Sequence, residues 1–151
     1  MNKVNFKPAK INTINPYLIV EDVQELITFM TTVFNGKLQF KLNRPNGAIM
    51  HAEIKVGNSV VMAGEPTKEF GLFPCSLYIY VKDCDSFFDK AIRYGCESIF
   101  EPATMKHAGE RYGGVKDKNG NVWWIATHVE DITPAEQSKR INEMKGNWLK
   151  D

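Results

Sequence analysis

The chain has 151 residues, 43% apolar and 25% charged, which is the size and make-up of one globular domain with a core of its own. Nineteen basic against eighteen acidic side chains leave no surplus charge to hold a polyphosphate, so nucleic acid is not an expected partner. The N-terminal stretch lacks an apolar signal core and no run approaches the ~18 apolar residues needed to cross a bilayer, so a cytoplasmic protein with no membrane partner is expected. Cys75, Cys84 and Cys96 are odd in number and form no Cys-x-x-Cys pair, which points to buried thiols in a reducing compartment.

Residues 1–12 read as an irregular arm, and 17–20 as a short apolar strand. Asp22 with Glu25 three residues on is a capping-box start. Val23, Leu26, Ile27, Met30, Val33 and Phe34 then recur at helical spacing up to Asn35-Gly36. Residues 37–42 and 49–56 are expected strands around a turn at Arg44-Pro45-Asn46-Gly47, and Gly57-Asn58 makes a tight hairpin into 59–62. Residues 67–73 form a polar join. A strand follows at 76–81, and Asp83 caps a helix whose Cys84, Phe87, Phe88, Ala91 and Ile92 form the buried stripe up to Gly95. Residues 97–100, 111–115 and 122–127 are expected strands, the last two joined by Asp117-Lys118-Asn119-Gly120-Asn121. A final helix starts at Thr133-Pro134-Ala135-Glu136. Its sparse apolar residues, Ile141, Met144 and Trp148, fit a packed or dimer-contacting tail or a solvated helix.

This order contains a repeat. Tyr17-Leu18-Ile19-Val20-Glu21-Asp22 is matched by Tyr78-Ile79-Tyr80-Val81-Lys82-Asp83, each followed by a helix that closes at glycine. The chain therefore reads as one α+β domain of two strand–helix–three-strand modules. Module one covers about 13–64, a linker 65–73, module two 74–130, and the C-terminal helix 133–148.

Two tandem βαβββ modules resemble the vicinal-oxygen-chelate superfamily of glyoxalase I, ring-cleaving dioxygenases and bleomycin-resistance proteins. Local wording is similar to its PhnB-like branch: the run from His51-Ala52-Glu53 through Gly57-Asn58-Ser59 to Met62, the run from Glu110-Arg111-Tyr112-Gly113-Gly114 through Gly120-Asn121-Val122-Trp123-Trp124 to His128, and the closing Val129-Glu130-Asp131-Ile132-Thr133-Pro134. The resemblance covers roughly residues 13–140 and implies a curled mixed sheet forming a cup, a small-molecule ligand and a homodimer. In metal-dependent members four side chains in that cup, usually His and Glu, bind a divalent ion. The matching positions here are Asn15, Met62, Ser76 and Trp124, none of them His or Glu, so no metal is expected there.

Period-two alternation places Tyr17, Ile19, Val60, Tyr78, Tyr80, Val122 and Ala126 on the same inward face as those four positions. Leu18, Val20, Leu77, Ile79 and Val81 then face the helices. An aromatic-lined face with few polar groups is either a ligand pocket or plain core. With Val56 opposite Ser59 in the hairpin, Glu53 faces Met62 and His51 faces Gly64, so both project inward. They could share a proton, bind a polar group or form a displaced metal site; otherwise they lie on a solvated strand face. Arg111, beside Glu110 and two glycines, could clamp a carboxylate or phosphate oxygen, or form a structural ion pair at a bulge. His107 reads as a solvated loop residue and His128 as a backbone-bonded strand end.

The functional expectation is a small-molecule-binding protein of PhnB-like type, without cofactor, holding an amphiphilic or aromatic ligand. Tyr17, Met62, Ser76, Tyr78, Tyr80, Trp124 and Arg111 are its expected ligand-binding residues. One alternative is a metal-dependent lyase, isomerase or dioxygenase with a displaced divalent-metal site at His51, Glu53 and Glu110 or His128. Another is a metal-free enzyme using Glu53 or His51 as general base.

Overall fold

The two repeated helices start and stop for the same local reasons. In a computed structural model that describes residues 4–144, Asp22 is extended and its Oδ1 accepts the Glu25 N–H at 2.8 Å, opening helix α1 (Val23–Val33). Asp83 does the same for α2 (Cys84–Tyr94), accepting the Ser86 N–H at 3.2 Å. A cap of this kind stabilises a helix by about 1 kcal/mol. α2 ends where Gly95 turns left-handed at φ 108°, a conformation that glycine adopts without steric cost. α1 ends against Gly36, where a Cβ would stand 2.9 Å from the Met30 carbonyl oxygen.

The chain forms two compact units. The first comprises the chain up to Cys75 together with residues 118–121, and the second comprises 76–117 with the chain from Val122 onward. The first unit contains α1 and strands β1 (Tyr17–Ile19), β2 (Lys37–Asn43), β3 (Ile49–Val56) and β4 (Ser59–Gly64), in the order β1-β4-β3-β2. β1 runs parallel to β4 and the other pairings are antiparallel. The second unit repeats the plan with α2 and strands β5 (Ser76–Tyr80), β6 (Glu97–Met105), β7 (Glu110–Lys116) and β8 (Val122–His128), ordered β5-β8-β7-β6. Again the first strand is parallel to the last. The fold class is α+β, with two open four-stranded mixed sheets and three helices among the described residues, the third helix being α3 (Pro134–Glu143).

Each sheet buries one face under its own helix. In the first unit the cross-strand partners Leu18, Ala63 and Ala52, with Ile54 and Val61 beside them, are buried with Leu26, Phe29 and Met30 of α1. In the second, Val115, Trp123 and Ile125 are covered and Phe88 of α2 lies against Gly113. The Trp123 indole donates to Asp117 at 2.9 Å, so its apolar bulk is buried with its N–H satisfied. Cys84 and Cys96 are buried free thiols, and Cys75 is partly exposed. Among the described residues no helix is long and apolar enough to cross a membrane.

Three departures from the sequence expectation have physical causes. β6 continues past Phe100 to Met105, through Pro102, because it is the edge strand, where a missing N–H leaves no ladder bond unmade. β7 begins at Glu110, one residue before the expected start, which places that carboxylate in the sheet. α3 buries no side chain and is tied down through Arg140, which donates to both Glu130 oxygens at 2.8 and 2.7 Å, to Glu136 at 2.9 Å and to the Lys106 carbonyl at 2.7 Å. Trp148, expected on that helix, lies outside the described residues.

Candidate functional site

The helix-free face of the second sheet carries the aromatic groups. Tyr78 and Gly114 are both register partners of Trp124, and Tyr80 and Tyr112 both pair with Ala126. Cross-strand partners share a face, so Tyr78, Tyr80, Tyr112 and Trp124 lie together, with Glu110 two residues before Tyr112 on the same side. These residues, with His107 and Ala108, line a shallow, open pocket of about 590 Å³, over which Tyr78 and Tyr80 stay exposed. His107 reaches it because Gly109, at φ 66°, turns the chain back and donates its N–H to Met105, so this loop histidine is half-buried rather than solvated.

Glu110 organises the phenols. Tyr78 donates to its Oε2 and Tyr80 to its Oε1, each at 2.5 Å. Burial, then the hydrogen bond and charge of Glu110, pushes the Tyr78 phenol well above its ordinary range. The hydrogen bond to Glu110 does most to raise that of Tyr80. Both therefore stay protonated donors throughout the neutral range. The rings are inclined: 59° between Tyr78 and Tyr80 with centroids 5.4 Å apart, 59° between Tyr78 and Tyr112 at 6.1 Å, and 85° between Tyr112 and Trp124 at 6.2 Å. Such angles make walls around a space rather than a stack. Gly114 gives the Trp124 ring its place, since a Cβ there would stand 2.7 Å from Cζ3.

The first unit holds a second group on its own helix-free face. Tyr17 pairs with Met62, Met62 with Glu53, and Glu53 with Phe40. The His51 ring stacks on Tyr17 at 5.7 Å and lies 6.1 Å from Phe40, with its Nε2 3.3 Å from Glu53 Oε1. The Tyr17 hydroxyl lies over Gly64, where a Cβ would come within 2.9 Å of it.

Each residue read from the sequence can now be placed. Tyr78, Tyr80 and Trp124 are together in the second unit, and Tyr17, Met62, His51 and Glu53 in the first. Ser76 sits at the margin of the second group, its Oγ accepting the Trp124 indole N–H at 3.0 Å. Arg111 is on the other, helix-covered face, where its Nε and Nη2 donate to Asp85 of α2 at 2.7 and 2.6 Å. This alternation takes it away from the aromatic group, and the structural ion pair is what it makes. The Arg111 guanidinium in turn holds the Asp85 carboxyl below its ordinary value. His128 bonds the Asp131 side chain at 2.8 Å rather than backbone. Tyr112 and Phe40 escaped notice in the sequence. Alternation groups Tyr112 with Glu110 and Gly114, but the face they take follows from the register with β8, and β2 is irregular between Leu38 and Phe40.

The four superfamily metal positions do not fit a transition metal. The Trp124 indole nitrogen has no lone pair to offer and is engaged with Ser76, while the Asn15 side chain is tied to the backbone of Asn12 at 3.1 and 2.7 Å. Met62 adds only a thioether. Among the described residues, no three His, Cys, Asp or Glu side chains gather in metal-binding geometry.

Residues 10–125 match the family model of the Glyoxalase/Bleomycin resistance protein/Dioxygenase superfamily. An uncharacterized protein of Mycobacterium bovis, Mb0911c, is 24% identical over 144 residues, covering 88% of this chain and 91% of the relative. Two solved structures share the fold with a TM-score of 0.62. TioX from Micromonospora sp. ML1 is 21% identical over 81% of this chain and all of its own. A PhnB protein from Bacillus cereus is 17% identical over 77% of this chain and 99% of its own.

Proposed function

Since the chain belongs to the Glyoxalase/Bleomycin resistance protein/Dioxygenase superfamily, we propose that it works as a small-molecule-binding protein of PhnB-like type, with its binding site on the helix-free face of the second unit. The cavity of about 590 Å³ lined by three tyrosines, Trp124 and Glu110 carries this reading. Small-molecule sites are usually concave, apolar or aromatic, and furnished with a few placed polar groups. An aromatic or amphiphilic molecule fits that chemistry. The binding needs no metal at Asn15, Met62, Ser76 and Trp124, whose donors are the wrong kind. The reading includes a homodimer, by analogy with the superfamily, which sedimentation equilibrium tests. Titrating isotope-labelled chain separately with phenol, benzyl alcohol, benzylamine and benzoate should shift the amide signals of Tyr78, Tyr80, Tyr112 and Trp124 with at least one of the four. If none of the four moves them, the site is not a ligand site.

A second reading rests on one observation, the contact between His51 Nε2 and Glu53 Oε1 beside Tyr17. Two such donors could begin a displaced divalent site in a lyase, isomerase or dioxygenase, or one of them could act as a metal-free general base. The metal version predicts a melting temperature that rises with Zn, Ni, Mn or Fe(II) and no longer does so in His51→Ala. An unchanged melting temperature with all four ions removes it.

A further inference from the structure

We propose that the cavity of the second unit selects an organic cation, a quaternary or primary ammonium carried on an apolar or aromatic body. This rests on the reading of that cavity as a ligand site. Two features of the cavity carry the inference together. The first is ring geometry: Tyr78, Tyr80, Tyr112 and Trp124 stand at 59° to 85° to their neighbours, with centroids 5.4 to 6.2 Å apart, so that they form walls around a shared space. A cation near the faces of such rings is attracted by their quadrupoles, most strongly when water is excluded, and a bulky alkylammonium has little hydration to lose.

The second feature is the charge. Glu110 lines the same cavity, and among the described residues no lysine, arginine or histidine forms an ion pair with it. Its partners are two neutral phenols, one on each oxygen. They hold the carboxylate in place without cancelling its charge. A carboxylate has about four acceptor sites, so each oxygen keeps a free lone pair after accepting one phenol. A primary ammonium could donate to that lone pair, and a quaternary one would gain the Coulomb attraction alone. A carboxylate ligand seated among the same rings would instead lie beside a like charge, which costs free energy. Phenols held by Glu110 also keep electron-rich rings against the space, because their protons point at the carboxylate rather than at the ligand. Arg111, the cation nearest in sequence, is on the opposite face with Asp85 and does not compensate Glu110.

The test compares three molecules of one shape on the isotope-labelled full chain at mildly alkaline pH. They are benzyltrimethylammonium, its uncharged isostere neopentylbenzene, and the anion phenylmethanesulfonate. The expected result is that the cation shifts the amides of Tyr78, Glu110, Tyr112 and Trp124 at least about tenfold more effectively than neopentylbenzene, with no response to the anion. Glu110→Gln should lose that preference, so that the cation is bound no better than neopentylbenzene. Equal binding of the cation and neopentylbenzene would overturn the proposal and leave the aromatic ligand site standing. No response at the cavity to any of these or to the neutral aromatics would overturn both. If Glu110→Gln does not fold, the comparison on the unsubstituted chain decides alone.

Discussion

Tyr78 donates a 2.5 Å hydrogen bond to Glu110, thirty-two positions further along the chain, across a face where Tyr80 donates to the other oxygen of the same carboxylate. The contact makes a charged group part of an aromatic wall. It also sets how the wall responds to pH.

Burial and the Glu110 carboxylate raise the Tyr78 phenol above its ordinary value. A group whose folded value is raised stabilises the fold fully below the unfolded value, about pH 10 for tyrosine, and that contribution is lost as pH climbs through the folded value. In an ultraviolet difference titration, Tyr78 should ionise last or nearly last of the tyrosines. Glu110→Gln should bring it back toward the ordinary range. A Tyr78 that titrates like free tyrosine in the unsubstituted chain would show that the carboxylate does not hold it.

Gly114→Ala places a methyl group 2.7 Å from Trp124 Cζ3 and 3.0 Å from Ile99 Cγ1. The indole must tilt off the sheet and give up its bond to Ser76 Oγ. We expect a stability loss of about 1–3 kcal/mol, as for other overpacking changes, with a red-shifted tryptophan emission and weakened ligand binding. Unaltered emission would mean that the ring does not rest on this glycine.

Arg111 depresses the Asp85 carboxyl, so the pair stabilises the fold above the ordinary aspartate range and ceases to do so as pH falls through the lowered value. Asp85 is exposed and Arg111 partly so, and the effect should stay below about 1 kcal/mol. Asp85→Asn should therefore melt slightly lower at neutral pH. The gap to the unsubstituted chain should close in acid. Ligand binding should not change, because the pair is on the other face of the sheet; a loss of binding would put Arg111 back in the site.

Much of the fold was legible because it depends on neighbours in sequence. Asp22 and Asp83 cap helices through the residue three positions on, Gly95 stops α2 by its own φ, and Val56 opposite Ser59 fixes the register of residues 52–56 against 59–63. That register carried Glu53 to Met62 as the alternation required. The likeness of residues 17–22 to 78–83 likewise reflects two sheets with the same strand order. What escaped depends on edges and distant partners. β6 runs past its expected end at Phe100, with Pro102 in the irregular stretch between Phe100 and Ala103 of an edge strand, where no ladder partner is required. Arg111 looked available because its partner Asp85 lies on a helix twenty-six positions earlier. Tyr112 went unremarked between two glycines and an arginine, although its pairing with Ala126 puts it beside Tyr78. Side-chain type was readable throughout; which face each one took on β7 required the register of β8.

On the proposed reading, the second unit binds small aromatic molecules without help from a metal. The direct measurement is titration of isotope-labelled chain with phenol, benzyl alcohol and benzylamine, in the presence and absence of EDTA. The claim predicts shifts at Tyr78, Tyr80, Tyr112 and Trp124 that are the same in both buffers and at least about tenfold weaker in Tyr112→Ala, as expected for removing one aromatic wall. Shifts that vanish in EDTA and return with a divalent ion, or that fall elsewhere in the chain, would contradict it.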